Sequence, residues 1–210
     1  MGRRQLSVRD AEGALLPGAL VFLEAAPFGT MPFPFQVPAE EIGATDLSGE
    51  ISVPARTTFG FYVVAPGHAL FVGRLAPCAN DDGCLQQVQL TRPIPFPGIR
   101  VRDAEGAPES AAWLVFLKDG IPIPVSIQNA VIEANHANPG LLILHEGTDS
   151  IHMLPGLFGP GIYEVEYVLA TPGAAPERIP LGQFSLPASH RIELTLPRGV
   201  KVQQTPAAGR

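Results

Sequence analysis

Val8-Arg9-Asp10-Ala11-Glu12-Gly13-Ala14 returns, residue for residue, as Val101-Arg102-Asp103-Ala104-Glu105-Gly106-Ala107, an offset of 93. Val21-Phe22-Leu23 returns as Val115-Phe116-Leu117 at an offset of 94, so the register survives with one inserted residue. Further on, Gly49 before Ile51 and Val53 corresponds loosely to Gly140 before Leu142 and Leu144. Self-similarity at one long period marks a duplicated unit. The organisation expected is a β-sandwich over residues 1–92, a proline-rich linker at 93–98, a second and diverged sandwich over 98–198, and a flexible tail at 199–210. Within Arg92-Pro93-Ile94-Pro95-Phe96-Pro97-Gly98 the prolines alternate, which favours a stiff, extended connector and a short two-bead rod.

The segments between repeats read as strands and turns. Leu6–Arg9, Ala19–Glu24, Glu50–Pro54, Phe59–Ala65, Leu70–Leu75 and Gln86–Thr91 are the strands expected in the first unit. Ile99–Arg102, Ala112–Lys118, Leu141–His145, Ile162–Leu169, Arg178–Phe184 and Arg191–Leu196 are those of the second. Only Pro38–Ile42 and Ala130–Ala137 have room for helical turns. With 22 Gly and 23 Pro in 210 residues, long helices are disfavoured, because proline breaks the helical ladder and glycine carries the largest backbone entropy cost. The fold class expected is all-β: two tandem antiparallel sandwiches, Ig-like in layout.

Composition narrows the function. Hydrophobic residues make up 46% of the chain and charged residues only 16%, so there is a core to bury and apolar surface left for a partner to cover. A net charge of −6 disfavours a nucleic-acid partner, which requires a basic stripe. No run of 18 apolar residues supplies a transmembrane segment. Met1-Gly2-Arg3-Arg4-Gln5 leads straight into a strand-like segment without an apolar signal core. The chain is therefore expected to be cytosolic, or a trimmed form of an exported one.

Val8/Asp10/Gly13, Pro17-Gly18-Ala19/Val21, Thr45-Asp46/Gly49 and Tyr62/Val64/Pro66-Gly67 follow one another in an order and spacing that resembles the carboxypeptidase regulatory-like domain, a transthyretin-like (prealbumin-like) sandwich of seven strands. The likeness covers residues 5–91 and extends weakly to 98–197, where Thr-Asp-x-x-Gly has become His136-Ala137-Asn138-Pro139-Gly140. The resemblance implies a fold and an accessory role on secreted or cell-envelope proteins, and it brings no catalytic residue. Asp10, Gly13, Asp46, Gly49, Asp103 and Gly106 are structural turn residues: the carboxylate accepts backbone N–H groups and glycine takes φ > 0. Tyr62 buries its ring while its hydroxyl finds a backbone partner.

Cys78 and Cys84 bracket five residues including a glycine, which allows a small disulfide loop and so favours an oxidising compartment. A zinc site would want two further ligands, and Asn80-Asp81-Asp82 lacks the alternation of a calcium loop. His68, His136, His145, His152 and His190 form neither H-x-H nor H-E-x-x-H. Gly-x-Ser-x-Gly is absent, and Glu40-Glu41 and Glu164/Glu166 read as a loop pair and an outward strand face. The His/Arg/His set and C-terminal Tyr-Arg-Gly-Ser of transthyretin-like ring-opening hydrolases are missing; Arg198-Gly199-Val200-Lys201 is no match. No catalytic, cofactor-binding or metal-binding residue is assigned.

The least ordinary segment is Pro27-Phe28-Gly29-Thr30-Met31-Pro32-Phe33-Pro34-Phe35-Gln36-Val37-Pro38. Prolines pre-order the chain, so displaying Phe28, Met31, Phe33 and Phe35 to a partner costs less entropy. The plainer reading folds these side chains over their own sandwich. Leu154–Gly161 is a second apolar, loop-like stretch, and Trp113 reads as a core residue. The function expected is a non-enzymatic structural or interaction module of a secreted or envelope assembly, with a protein partner or self-association. The alternatives are a carbohydrate-binding module, with Trp113, Tyr62 or the loop phenylalanines stacking on sugar, and a cytosolic part of a phage-like or secretion apparatus.

Overall fold

The computed structural model describes residues 3–24, 39–54, 60–76, 84–107, 114–135, 158–169 and 177–200. Seven strands belong to the N-terminal half: β1 (Arg3–Arg9), β2 (Leu20–Glu24), β3 (Ala39–Ala44), β4 (Glu50–Pro54), β5 (Gly60–Val64), β6 (Phe71–Arg74) and β7 (Leu85–Gln89). They form two sheets in the orders β4-β1-β7 and β3-β2-β5-β6, with β1 and β7 parallel and the other pairs antiparallel. Leu6, Val8, Val53 and Val88 of the first sheet meet Val21, Leu23, Phe61 and Val63 of the second in one buried cluster.

The C-terminal half adds β8 (Ile99–Arg102), β9 (Leu114–Lys118), β10 (Ile121–Pro122), α1 (Val125–Ala134), β11 (Gly161–Leu169), β12 (Glu177–Leu186) and β13 (Ile192–Thr195). Its sheets run β13-β8, which is parallel, and β10-β9-β11-β12. The protein is thus mostly β with one short helix among the described residues. The parallel pair β8/β13 stands where β1/β7 stands in the N-terminal half, and β9/β11/β12 repeats the neighbour order of β2/β5/β6.

The repeated heptapeptide builds the same turn twice. Asp10 Oδ1 accepts the Ala14 N–H at 2.7 Å, and Asp103 Oδ1 accepts the Ala107 N–H at the same distance. Arg9 Nη1 donates to the Gly13 carbonyl at 3.0 Å, and Arg102 Nη1 donates to that of Gly106 at 2.7 Å. Gly13 and Gly106 have φ of 87° and 91°, the left-handed region that a Cβ disfavours. A third aspartate turn is tighter in its wiring: Asp46 Oδ1 accepts from Ser48 N, Ser48 Oγ and Glu50 N.

Two local expectations are corrected. Pro38–Ile42, read as a site for helical turns, contributes Ala39–Ile42 to edge strand β3, because pairing with β2 satisfies its backbone along the sheet. A bulge there leaves Ile42 between the Glu41–Phe22 and Gly43–Val21 pairs. The helix expected at Ala130–Ala137 is α1, which begins earlier; Ile127 N and Gln128 N both donate to the Pro124 carbonyl, so the chain turns helical directly after proline. Leu141–His145 lies outside the described residues.

The two-bead picture gives way to a shared core. Every residue of β5 is buried, because the sheet carrying it is covered on both faces. Phe61 and Val63 face the first sheet, whereas Phe22, Tyr62, Val64 and Val72 join a cluster with Ile121, Ile123, Ile127 and Val131 of the C-terminal half. The Tyr62 hydroxyl donates to the Pro122 carbonyl at 2.7 Å. Asn135 closes α1 through Nδ2 on the Val131 carbonyl, and its Oδ1 accepts the Gly67 N–H at 2.9 Å. Nor does the proline-rich segment stand free: Ile94 N donates to the Phe158 carbonyl, and Phe96 stacks on Phe158 with ring centroids 4.7 Å apart.

Two tests follow from this packing. Asp10→Ala and Asp103→Ala each remove an equivalent backbone acceptor, so urea unfolding should register comparable losses of about 1 kcal/mol. A Cβ on Gly60 would lie 2.5 Å from Ile121 Cγ2, across the two halves. Gly60→Ala should therefore cost about 1–3 kcal/mol, and Ile121→Ala should relieve part of that loss in the double variant. Strict additivity would show that the halves do not meet there.

Candidate functional site at the loop pole

The registers fix which strand ends lie together. Arg3 pairs with Pro54, Gln5 with Leu85, Glu24 with Ala39, Leu23 with Phe61 and Gly60 with Arg74. The ends of the strands that flank residues 25–38, 55–59 and 77–83 consequently lie together at one pole of the N-terminal sandwich, the loop pole. The opposite pole carries the tight turns at Asp10–Gly13, Asp46–Gly49 and Pro66–His68.

Charge is concentrated at the loop pole in unusual ways. Arg4 is in phase with Leu6 and Val8 on the core side of β1 and is 2% exposed. Arg4 Nη1 donates to the Ala76 carbonyl just beyond β6, spanning the gap between the sheets, while Nε is buried without a hydrogen-bond partner. Arg3, by contrast, is exposed and holds Ser52 through its side chain and carbonyl. Glu24 closes β2 at 6% exposure and accepts the Gly60 N–H at 2.9 Å, fixing the start of β5. Gln86 accepts from Ala76 N and donates to the Arg74 carbonyl at the end of β6; Gln5 N donates to the Cys84 carbonyl just before β7.

Burial and neighbouring charge bias the phenols of Tyr62 and Tyr163. Desolvation pushes the Tyr62 pKa well above its usual 10.0, the negative charge of Glu24 adds to the rise, and Arg74 opposes it. Tyr163, which both donates to the Gly159 carbonyl and accepts from Gly159 N, is pushed up to about 12, chiefly by burial. Chemically, the arrangement holds strands and protons in place; Glu24 is engaged with backbone. No cluster of three or more metal-ligating side chains occurs among the described residues.

Of the residues singled out from sequence, Asp10, Gly13, Asp46 and Gly49 sit in turns at the opposite pole, and Asp103 and Gly106 form the corresponding turn of the C-terminal half. Phe28, Met31, Phe33 and Phe35 lie outside the described residues, as do Cys78, Asn80, Asp81, Asp82, Trp113, His136, His145 and His152. Cys84 lies immediately before β7, and no free cysteine occurs among the described residues. His68 Nδ1 lies 2.9 Å from the Pro66 carbonyl in its turn, and Glu166 is paired with Arg178. Arg4 and Glu24 were missed. Their signal was charge in core phase: Arg4 two residues before Leu6, and Glu24 two residues after Phe22.

No family model matches the chain, and no curated protein matches it. Among solved structures, it is similar to a streptococcal ancillary pilin at 13% identity, over 94% of this chain and 62% of that one, with a TM-score of 0.30. The Bacillus anthracis TIE protein aligns at 10% identity over 93% of this chain and 33% of that one, TM-score 0.29. The shaft pilin SpaA of Lactobacillus rhamnosus GG, as its D295N mutant, aligns at 12% identity over 95% and 99%, TM-score 0.29. The chain thus spans less than two thirds of the first two. At these TM-scores the likenesses decide neither topology nor function.

Burial of the phenols has a measurable sign. A folded-state pKa raised above 10.0 contributes stability that is fully present below pH 10 and is lost as pH rises from 10 towards 12 and beyond. Phenolate absorbance from Tyr62 and Tyr163 should therefore appear only together with alkaline unfolding, and Tyr62→Phe should weaken the pH dependence. Ionisation of Tyr62 and Tyr163 near pH 10 in the folded protein would contradict this burial.

Proposed function

We propose that the protein is a non-catalytic structural and protein-interaction module of a secreted or cell-envelope assembly, able to self-associate. It is read as a duplicated pair of carboxypeptidase regulatory-like, transthyretin-like sandwiches that share one core. The observation carrying this reading is the division of labour between the poles. Marked aspartate and glycine residues are engaged in backbone turns at one end, while the chain's aromatic, proline-rich segment is rooted at the other.

Phe28, Met31, Phe33 and Phe35 are the contact residues of this proposal. They are carried between Glu24 and Ala39, which are paired on the same sheet, so whatever they engage is referred to a rigid base. Glu24 strengthens that base through Gly60. Cys78 and Cys84 are proposed to be bonded, which suits an exported protein. Since Gln86, Arg4 and Gln5 already tie both ends of residues 77–83, the bond adds about 2 kcal/mol at most.

The test is a double variant. Phe33→Ser with Phe35→Ser should shift concentration-dependent light scattering to higher protein concentration while leaving the urea midpoint in place. Unchanged association removes these residues from the contact surface. Retention on a polysaccharide affinity gel, lost in the same variant, would instead assign the pole to carbohydrate.

A further inference from the structure

Sheet edges present unpaired backbone groups, and proteins guard them with charge, proline, bulges or cover. In the N-terminal half, β3 carries Glu40, Glu41 and a bulge; β4 carries Glu50 and Pro54; β6 ends in Arg74. In the C-terminal half, β12 carries Glu177, Arg178, Pro180 and a bulge, and β10 is a two-residue strand containing Pro122. In the parallel pair β13/β8, Glu193 of β13 is paired with Arg100 and Arg102 of β8. The sole edge strand among the described residues with neither charge, proline nor bulge is β7, Leu85-Gln86-Gln87-Val88-Gln89.

The hydrogen bonds at its ends set which backbone groups turn towards β1 and which turn away from it. Gln5 N donates to the Cys84 carbonyl and Leu90 N to that of Arg9. Parallel pairing alternates by residue, so positions 84, 86, 88 and 90 turn their backbone towards β1, and Leu85, Gln87 and Gln89 turn theirs outward. Those three side chains are also exposed, Leu85 at 51%.

We infer that the outer edge of β7 pairs antiparallel with β7 of a second copy of this chain, about a two-fold axis at Gln87. This rests on the self-associating side of the function proposed above and names its surface. Centred there, Gln87 faces its counterpart and Leu85 faces Gln89, so all three outward positions exchange backbone bonds, about six in total. Two copies each carry a net charge of −6, which opposes pairing through acidic edges such as β3; β7 brings no charge to the seam. A five-residue seam buries far less than the roughly 1,200 Å² of a stable interface, so the pair is weak and depends on concentration. It joins β4-β1-β7 of both copies into one continuous sheet.

Sedimentation of the full chain from about 10 µM to about 1 mM should show its mass rising from 22.2 kDa towards twice that value. Gln87→Pro removes only an outward N–H and should abolish the rise with circular dichroism and urea midpoint unchanged. Gln87→Lys and Gln87→Glu should each associate about fivefold more weakly, and an equimolar mixture of the two should recover the loss, because the two residues meet across the axis. A monomer at every concentration overturns the inference, as does Gln87→Pro associating like the wild type, or slow amide exchange at Leu85, Gln87 and Gln89 in the monomer, which would mean that the chain covers its own edge. Association lost on Phe33→Ser with Phe35→Ser but untouched by every Gln87 variant overturns the seam and leaves the loop proposal standing. The converse pattern supports the seam and removes the loop residues.

Discussion

Burial of one sheet on both faces is the constraint on which the rest of the structure depends. In an isolated sandwich, the sheet β3-β2-β5-β6 would turn Phe22, Tyr62, Val64 and Val72 to water. Here they meet α1 and the turn around Ile121, and the Tyr62 hydroxyl finds its acceptor in Pro122. A buried phenol needs such an acceptor, since an unmet donor costs about 1–3 kcal/mol. The contact also explains Gly60, where any side chain would collide with Ile121, and Gly159, where a Cβ would sit 2.7 Å from Thr91 Oγ1. The low charge of the chain is therefore absorbed partly within the molecule.

The duplicated turns and strands were legible because their causes are local. An aspartate accepting backbone N–H groups, with a glycine at positive φ three residues later, specifies its turn wherever it occurs. Alternation along β1 and β8 reports a sheet with one face in the core. The shared core is less legible, although it leaves a signal: Phe59-Gly60-Phe61-Tyr62-Val63-Val64-Ala65 is an unbroken apolar run, the pattern of a strand buried on both faces. Alternation is how a half-exposed strand announces itself, and its absence here was evidence for a second layer. The edge strand β3 is hard to recognise in the sequence for a related reason. Glu40-Glu41 on a short segment looks like a loop until a neighbouring strand supplies its hydrogen bonds.

At the loop pole, the legible part was composition and the hidden part was support. Aromatic residues among prolines stand out in any sequence. That Glu24, 36 positions before Gly60, anchors the root of that segment is a long-range fact that no local pattern carries. Arg4 belongs to the same class. Its alternation with Leu6 and Val8 marks a core position, yet only the approach of Ala76 shows why a guanidinium lies there. A buried cation with Nε unmatched is costly, and the bond from Nη1 to the Ala76 carbonyl offsets part of that cost.

Comparison of the two halves separates what they share from what is particular to each. Both retain the aspartate turn and the parallel strand pair, so these are requirements of the sandwich. The edges have diverged. Glu193 sits two residues before Leu196's neighbour Thr195, on β13, and is held by Arg100 and Arg102; the equivalent stretch of β7 is neutral. Nothing in the core requires that difference, because Glu193 and the corresponding Gln87 are both exposed. A charge retained on one edge and absent from its repeat is consistent with two edges under different constraints: one kept from pairing, the other left open to it.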